Sequence, residues 1–289
     1  MEQSKQSVRD TGDQAGGTSY HVVVREEDLS CFYPGMVRYI IEAMAGQEVL
    51  ALSRTNSYEY SPSMPFNARQ VAEERAASWE AELRADPDAF RKSHHAPSMP
   101  AGRVKGKDVV IIQGSPRAGG NSAILASWAA ESARREGRKV EVIYPHDMDI
   151  HPCIGCYQCY NTGTCVFWDD MNGIIDSVAG CSLLVICSPV YTNTVPAGLK
   201  ALLDRFMALH AEMTLGGDFP SRKGLLMAVA GREGHENFRC VREVIRAFFS
   251  LLGMTPLQPV LVDATDVIRD VTRVEGLEDR VKSLVKDNL

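Results

Sequence analysis

Residues 108–122 read DVVIIQGSPRAGGNS, and they decide the fold of most of the chain. Residues 108–113 form a short apolar run rich in β-branched side chains, which is typical of a buried strand. A glycine-containing turn follows, and residues 123–135 then carry apolar side chains on one helical face. A strand, a glycine-rich turn and a helix in this order predict the start of a parallel βαβ arrangement.

The same alternation of strands and helices continues to the end of the sequence. Four further strands are predicted at residues 139–144, 182–187, 224–230 and 257–263, with helices at 199–210, near 236–252 and from about 271. Five strands that alternate with helices predict an α/β fold with a doubly wound parallel sheet. Ligands of such sheets bind at the carboxyl ends of the strands, near the point where the strand order reverses.

The residues before 107 have a different character. Residues 1–18 are polar and predicted to be disordered, and residues 20–53 predict a small strand-helix-strand unit with the helix around Met36–Met44. Residues 68–93 are rich in Ala, Glu and Arg and predicted to be helical. Proline and glycine at 97–102 predict a linker. We therefore expect an N-terminal extension, residues 1–106, and a second domain, residues 107–289, with a cysteine loop inserted at 151–168.

The loop between the first strand and the first helix has the features of a phosphate site. The first turn of a helix leaves backbone N–H groups without intrahelical partners, and its dipole favours an anion. The side chains that can add donors are Ser115, Arg117, Asn121 and Ser122, and the glycines that permit close backbone approach are Gly119 and Gly120. The alternative is a plain strand-to-helix turn capped by Asn121. The absence of a Walker ending and of G-x-G-x-x-G argues against ATP and a Rossmann dinucleotide site.

The string GSPRAGGNS resembles the FMN-phosphate loop of the NADPH-dependent FMN reductase and iron-sulfur flavoprotein families. That resemblance implies a flavodoxin-like domain that binds FMN. Carried over residue by residue, it implies that Ser115, Arg117, Asn121 and Ser122 hold the FMN phosphate, with Gly120 beside it.

A second loop follows the third predicted strand, where a ligand of the sheet would lie. Tyr191 offers a stacking surface, and the backbone of residues 190–193 offers hydrogen bonds. Taken alone, the loop also fits a structural turn that contains a proline. The string SPVYTNTVPAGLKALLDRF resembles the family segment that lines the isoalloxazine ring. The residues it assigns to the flavin are Pro189, Val190, Tyr191, Thr192 and Asn193. A third lining segment, residues 230–234 with Gly231 as the ring contact, is predicted only from its position after the fourth strand.

The sequence contains eight cysteines, and four of them fall within thirteen residues: Cys153, Cys156, Cys159 and Cys165. Cubane clusters take four cysteine ligands, and C-x2-C-x2-C is the local spacing of bacterial ferredoxins. Four cysteines can also bind structural zinc, two can form a redox pair, and loop thiols can be inert. The spacing resembles the compact motif of iron-sulfur flavoproteins, which implies that these four cysteines bind a [4Fe-4S] cluster.

The resemblance implies an oxidoreductase that moves electrons through FMN and the cluster. Electron transfer itself needs no catalytic acid or base, so no catalytic residue is assigned. It also implies a homo-oligomer, a dimer or tetramer, that exchanges electrons with a donor or acceptor protein or small molecule. One alternative is an NAD(P)H-dependent FMN or quinone reductase whose cysteine loop is structural or binds zinc. Another is a redox or metal sensor without enzymatic activity.

The composition narrows the function classes. Apolar residues make up 45% of the chain, which predicts a packed core. A net charge of -6 argues against a nucleic-acid partner or an anionic membrane surface. There is no run of about 18 apolar residues and no secretory signal, so a cytoplasmic protein without a membrane span is expected.

Overall fold

A computed structural model describes residues 5–15, 18–94, 106–217 and 219–289. The chain divides into two compact units, one of residues 1–101 and 155–166 and the other of residues 102–154 and 167–289. The predicted linker at 97–102 lies outside the described residues. Residues 155–166 of the cysteine loop belong to the first unit, although the sequence predicted that the loop is an insertion in the second domain.

The smaller unit is built on an antiparallel sheet. Its strands follow one another in chain order: β1 (Lys5–Ala15), β2 (Thr18–Asp28), β3 (Val37–Ala45) and β4 (Glu48–Asn56). Two helices, α1 (Ala68–Ala85) and α2 (Pro87–Ser93), cover one face of the sheet. Alternate residues of β2 and β3 point to these helices and bury side chains against Trp79, Leu83 and Phe90. The predicted helical region 68–93 is therefore present, with a break at Asp86.

Two predictions for this unit are wrong. Residues 5–15, predicted to be disordered, form β1, which pairs with β2; residues 1–4 and 16–17 lie outside the described residues. The helix predicted around Met36–Met44 is the strand β3, whose alternate residues Tyr39, Ile41 and Ala43 join the core. Met36 and Ile40, which alternate with these core residues, are buried as well. The apolar residues of 36–44 therefore fit both a helical period and a strand period.

The larger unit contains the predicted parallel sheet. Its strands are β5 (Val109–Gln113), β6 (Val140–Ile143), β7 (Leu183–Pro189), β8 (Lys223–Val229) and β10 (Val260–Val262), and the two-residue β9 (Thr255–Pro256) pairs with the start of β8. They lie in the order β6-β5-β7-β8-β10, all parallel. This order is that of flavodoxin-like folds, with the switch point between β5 and β7. The predicted fold class is confirmed.

Helices pack on both sides of this sheet. They are α3 (Asn121–Arg135), α5 (Met171–Gly180), α6 (Ala197–Arg205), α7 (Met207–Thr214), α8 (Arg239–Leu251), α9 (Thr265–Ile268) and α10 (Leu277–Lys286). The helix predicted at 199–210 is divided into α6 and α7 at Phe206. The short α4 (Cys159–Thr162) lies in the smaller unit. Among the described residues, no helix has the length and apolarity that a membrane span requires.

Candidate functional site

The loop after β5 is fixed by contacts of its own residues. The buried side chain of Gln113 accepts a hydrogen bond from the backbone N–H of Ser115 (2.9 Å) and donates one to the carbonyl oxygen of Arg117 (3.3 Å). The backbone N–H of Gly114 donates to the carbonyl oxygen of Cys187 in β7 (2.8 Å). A Cβ atom at Gly114 would lie 2.6 Å from Leu199 Cδ2, so the close approach of this loop to α6 requires glycine.

The start of α3 leaves polar groups unpaired beside this loop. Gly120 is the N-cap residue, and no side chain caps the helix. The hydroxyl oxygen of Ser122 is buried and has no hydrogen-bond partner. The carbonyl oxygen of Gly120 accepts the first hydrogen bonds of the helix, from the N–H groups of Ala123 and Ile124. The N–H groups of Asn121 and Ser122 precede these donors, in the first turn of α3, where N–H groups have no intrahelical partner. An unpaired buried hydroxyl at a helix N-terminus is a suitable site for an anion.

Asn121 has a structural role that the sequence did not reveal. Its amide donates to the carbonyl oxygen of Arg269 (3.3 Å), and its amide oxygen accepts from the N–H of Val271 (3.1 Å). The alternative in which Asn121 caps α3 is wrong, since Gly120 occupies that position. The side chain instead joins the start of α3 to the loop after α9.

The loop after β7 forms a tight turn. Tyr191 and Thr194 exchange two backbone hydrogen bonds (2.8 and 2.9 Å), and the two residues between them, Thr192 and Asn193, have φ angles of 44° and 63°. Positive φ at both central residues is the geometry of a type I′ turn. The N–H of Val190 donates to the carbonyl oxygen of Val229 (2.9 Å), so the loop is joined to the end of β8. The turn presents the ring of Tyr191 at the surface, 37% exposed.

The loop after β8 completes this edge of the sheet. The carbonyl oxygen of Ala230 accepts from both the N–H and the hydroxyl of Thr265 (3.0 Å each). A Cβ atom at Gly231 would lie 2.5 Å from an oxygen of Asp266, so glycine brings the carboxylate against the backbone. Asn237 donates to the carbonyl oxygens of residues 232, 233 and 234 and thereby holds the loop closed.

These loops enclose one cavity of about 610 Å³. The predicted residues of the first two loops all line it, as does Gly231: Ser115, Arg117, Gly120, Asn121, Ser122, Pro189, Val190, Tyr191, Thr192, Asn193 and Gly231. Of the third predicted segment, residues 230–234, Ala230 and Arg232 also line the cavity, whereas Glu233 and Gly234 do not. The sequence did not predict four further lining residues, Val229, Asn237, Thr265 and Asp266, and nothing local marks Thr265 or Asp266. The cavity has the size of a small-molecule or cofactor site and lies at the switch point of the sheet.

The four clustered cysteines lie in two units. Cys153 is exposed in the larger unit, whereas Cys156, Cys159 and Cys165 belong to the smaller one, with Cys159 buried in α4. No disulfide links any of the eight cysteines, all of which are described. Across the described residues, no three His, Cys, Asp or Glu side chains form a group that could hold a single metal ion. Burial raises the pKa of Cys187, which keeps that thiol protonated in the core.

A buried ion pair joins the two ends of the predicted cysteine loop within the larger unit. Two guanidinium nitrogens of Arg205 donate to the two carboxylate oxygens of Asp169 (2.6 and 2.9 Å), and one also donates to the carbonyl oxygen of His151 (2.7 Å). Both side chains are at most 1% exposed. Burial raises the pKa of the Asp169 carboxyl, but hydrogen bonds from Arg205 and two backbone N–H groups outweigh it and leave that pKa below its usual value.

Comparison with known proteins identifies the family. The family model for NADPH-dependent FMN reductase matches residues 108–266, which is more than half of the chain. An iron-sulfur flavoprotein of Methanocaldococcus jannaschii is 35% identical over 127 residues, which cover 44% of this chain and 64% of that protein. An iron-sulfur flavoprotein of Methanosarcina thermophila is 34% identical over 99 residues, which cover 34% of this chain and 52% of that protein. One of Archaeoglobus fulgidus is 33% identical over 110 residues, which cover 38% of this chain and 50% of that protein.

The matched part of the chain thus spans about half to two thirds of the length of these relatives. The resemblance predicted from the sequence motifs is confirmed, and the chain belongs to the NADPH-dependent FMN reductase family.

Proposed function

We propose that the cavity binds FMN and that the protein is a flavin-dependent oxidoreductase. The phosphate of FMN would lie at the start of α3, and its ring would lie against residues 189–193 and 230–231. The observation that carries this proposal is the buried, unpaired hydroxyl of Ser122, because a phosphate oxygen is the partner it lacks. The exposed guanidinium of Arg117 can add a charge-assisted hydrogen bond on the solvent side.

We further propose that Cys153, Cys156, Cys159 and Cys165 bind a [4Fe-4S] cluster. Their chemistry fits, since a cubane takes four thiolates and these four are close in sequence. Each ligand of a cubane binds a different iron atom, so the ligands need not be as close together as those of one ion. The names of the three relatives described above also support this proposal. FMN exchanges one or two electrons and a cubane one, so a protein with both converts between two-electron and one-electron transfer.

Replacing Ser122 with alanine tests the phosphate site. A hydrogen bond to a charged group contributes about 1.5–3 kcal/mol, so the Kd for FMN should rise about 10- to 100-fold. The apoprotein should not lose stability, because the variant removes a buried hydroxyl that has no partner. Titration of apoprotein with FMN, followed by flavin fluorescence, gives the Kd, and thermal unfolding gives the stability.

Ser132 on the same helix provides a matched control. Its buried hydroxyl donates to the carbonyl oxygen of Lys282 (2.7 Å), and neither residue lines the cavity. The Ser132→Ala variant should therefore lose about 1 kcal/mol of stability and keep its affinity for FMN. Equal FMN affinity in Ser122→Ala and the wild type would contradict the proposed phosphate position.

The second candidate is a reductase that oxidises NAD(P)H without an iron-sulfur cluster. The name of the matching family model, NADPH-dependent FMN reductase, favours it. In that case the cysteines would bind zinc or have a structural role, and the purified protein would oxidise NADPH in the presence of FMN while containing no iron. Iron analysis of active protein distinguishes the two candidates.

A further inference from the structure

The smaller unit joins the cysteine segment, residues 155–166, to the N-terminal module, which we define as β1–β4 with α1 and α2. The segment includes three of the four clustered cysteines, and its only helix in the described structure is the four-residue α4. Such a short helix is not stable by itself, because helix nucleation is unfavourable. The geometry of the segment must therefore come from the residues that surround it.

The first contact is made by a buried arginine of β3. Arg38 is 4% exposed, and its Nε and Nη2 atoms donate to the carboxylate of Glu27 (2.8 and 2.5 Å). This ion pair orients the guanidinium so that Nη1 donates to the carbonyl oxygen of Tyr160 in α4 (2.7 Å). Hydrogen bonds from a charged donor are about twice as strong as neutral ones. Arg38 thus fixes the backbone of the residue that follows Cys159.

A buried amide network makes the second contact. The side chain of Asn56, at the end of β4, donates to the carbonyl oxygen of Tyr157 (3.2 Å) and to the amide oxygen of Asn161 (3.0 Å). The amide nitrogen of Asn161 donates in turn to Glu59 Oε1 (2.6 Å). Arg54 Nη1 donates to the carbonyl oxygen of Asn161 (3.1 Å). Both asparagines are buried, so every lost partner here leaves a polar group unsatisfied.

Aromatic rings complete the attachment. Tyr33 and Tyr58 of the module pack against Tyr157 and Tyr160 of the segment, with ring centroids 5.0–5.4 Å apart and edge-to-face geometry. Tyr157 has a φ angle of 56°, a conformation that nonglycine residues rarely adopt and that surrounding contacts must stabilise. Tyr160 is fully buried among these rings, and Tyr157, between Cys156 and Cys159, is half-buried.

We infer that the N-terminal module is a scaffold that positions the cysteine segment for its metal centre. The contacts come from residues that are distant in sequence and reach the backbone of residues 157, 160 and 161, between and beside the cysteines. These contacts order the cysteine segment before the metal centre binds. The chain therefore loses less conformational entropy on binding. The inference rests on the proposed function for the identity of the metal centre, but not for the positioning itself.

Two variants of the module test the scaffold, Arg38→Ala and Asn56→Ala, with Arg25→Ala as the matched control. Arg25 forms an ion pair with Glu42 in the same sheet, and none of its described contacts reaches the cysteine segment. In metal-free protein, alkylation of the buried Cys159 by iodoacetamide, measured by peptide mass spectrometry, should become about tenfold faster in the two variants. In anaerobically purified protein, chelator should remove iron at about 10- to 100-fold lower concentration.

A conservative variant separates positioning from loss of folding. Arg38→Lys keeps the charge and can donate to Tyr160 but lacks the fork that binds Glu27, so its alkylation rate and iron retention should be intermediate. If Arg38→Ala does not fold, the test rests on Asn56→Ala, in which faster alkylation of Cys159 and easier loss of iron would support the inference. The inference is overturned if Asn56→Ala has the same rate of Cys159 alkylation by iodoacetamide, and the same retention of iron, as Arg25→Ala. A wild-type protein without iron would instead overturn the cluster proposal, while the alkylation rates would still decide the scaffold.

Discussion

Replacement of Arg205 with alanine is expected to lower the free energy of unfolding by about 3–5 kcal/mol, the largest stability change that we predict for a single residue. The change removes the only charge that pairs with the buried carboxylate of Asp169 in the described contacts, and it also removes the donor to the carbonyl oxygen of His151. Urea denaturation monitored by circular dichroism gives the free energy at neutral pH.

At lower pH, the free energies of unfolding of Arg205→Ala and the wild type should differ by less. The pKa of Asp169 is lowered in the folded wild type, so the ion pair adds stability above the unfolded pKa of about 4, and this stability is lost as the pH falls through the folded pKa. In the variant, burial without Arg205 raises the pKa of Asp169, so protonation relieves the unpaired charge at a higher pH. The difference in the free energy of unfolding between the variant and the wild type should therefore be smaller at about pH 4 than at about pH 7.

Lys200→Ala on the same helix is the control for this prediction. Lys200 forms an exposed i,i+4 pair with Asp204, which contributes at most about 0.5 kcal/mol. If Arg205→Ala were as stable as Lys200→Ala at neutral pH, the buried pair would not stabilise the ends of the cysteine loop.

Cys156→Ser is expected to lose most of its iron and to keep FMN bound. A serine hydroxyl is a poor replacement for a thiolate in an iron-sulfur cluster, which takes four cysteine ligands. The cavity proposed for FMN is lined by residues 115, 117, 120–122, 189–193, 229–232, 237 and 265–266. None of them lies in the cysteine segment, so FMN per chain should not change. Iron, acid-labile sulfide and FMN are measured on protein purified without oxygen.

Cys31→Ser is the matched control, since Cys31 is exposed and lies outside the cluster of cysteines. It should contain the same iron as the wild type. Full iron in Cys156→Ser would show that Cys156 is not a ligand, and equal losses in both variants would indicate a general effect of cysteine replacement.

The lining of the cavity was largely predictable because its signals are local in sequence. The strand at Val109–Gln113, the glycine turn and the helix at Asn121 follow each other without interruption, and their periodicity and turn residues agree. The carboxyl ends of parallel strands then bring the loops after β5, β7 and β8 to one edge. Thr265 and Asp266 were missed because they approach the cavity only through hydrogen bonds with residues 230 and 231.

The N-terminal module was less predictable because its pattern is ambiguous. Both faces of β3 are buried, so the apolar residues at 36, 39, 40 and 44 satisfy a helical period although the segment pairs as a strand. The contacts of Arg38 and Asn56 to the cysteine segment join residues more than 100 positions apart. No periodicity or spacing in a single sequence encodes such a pairing, and the same holds for Arg205 with Asp169.

Analysis of metal, sulfide and flavin in the full chain, purified without oxygen, tests the central claim most directly. We predict about one FMN, four irons and four sulfides per chain, with little zinc. Protein that contains zinc or no metal at the cysteines, and that does not bind FMN, would contradict the account.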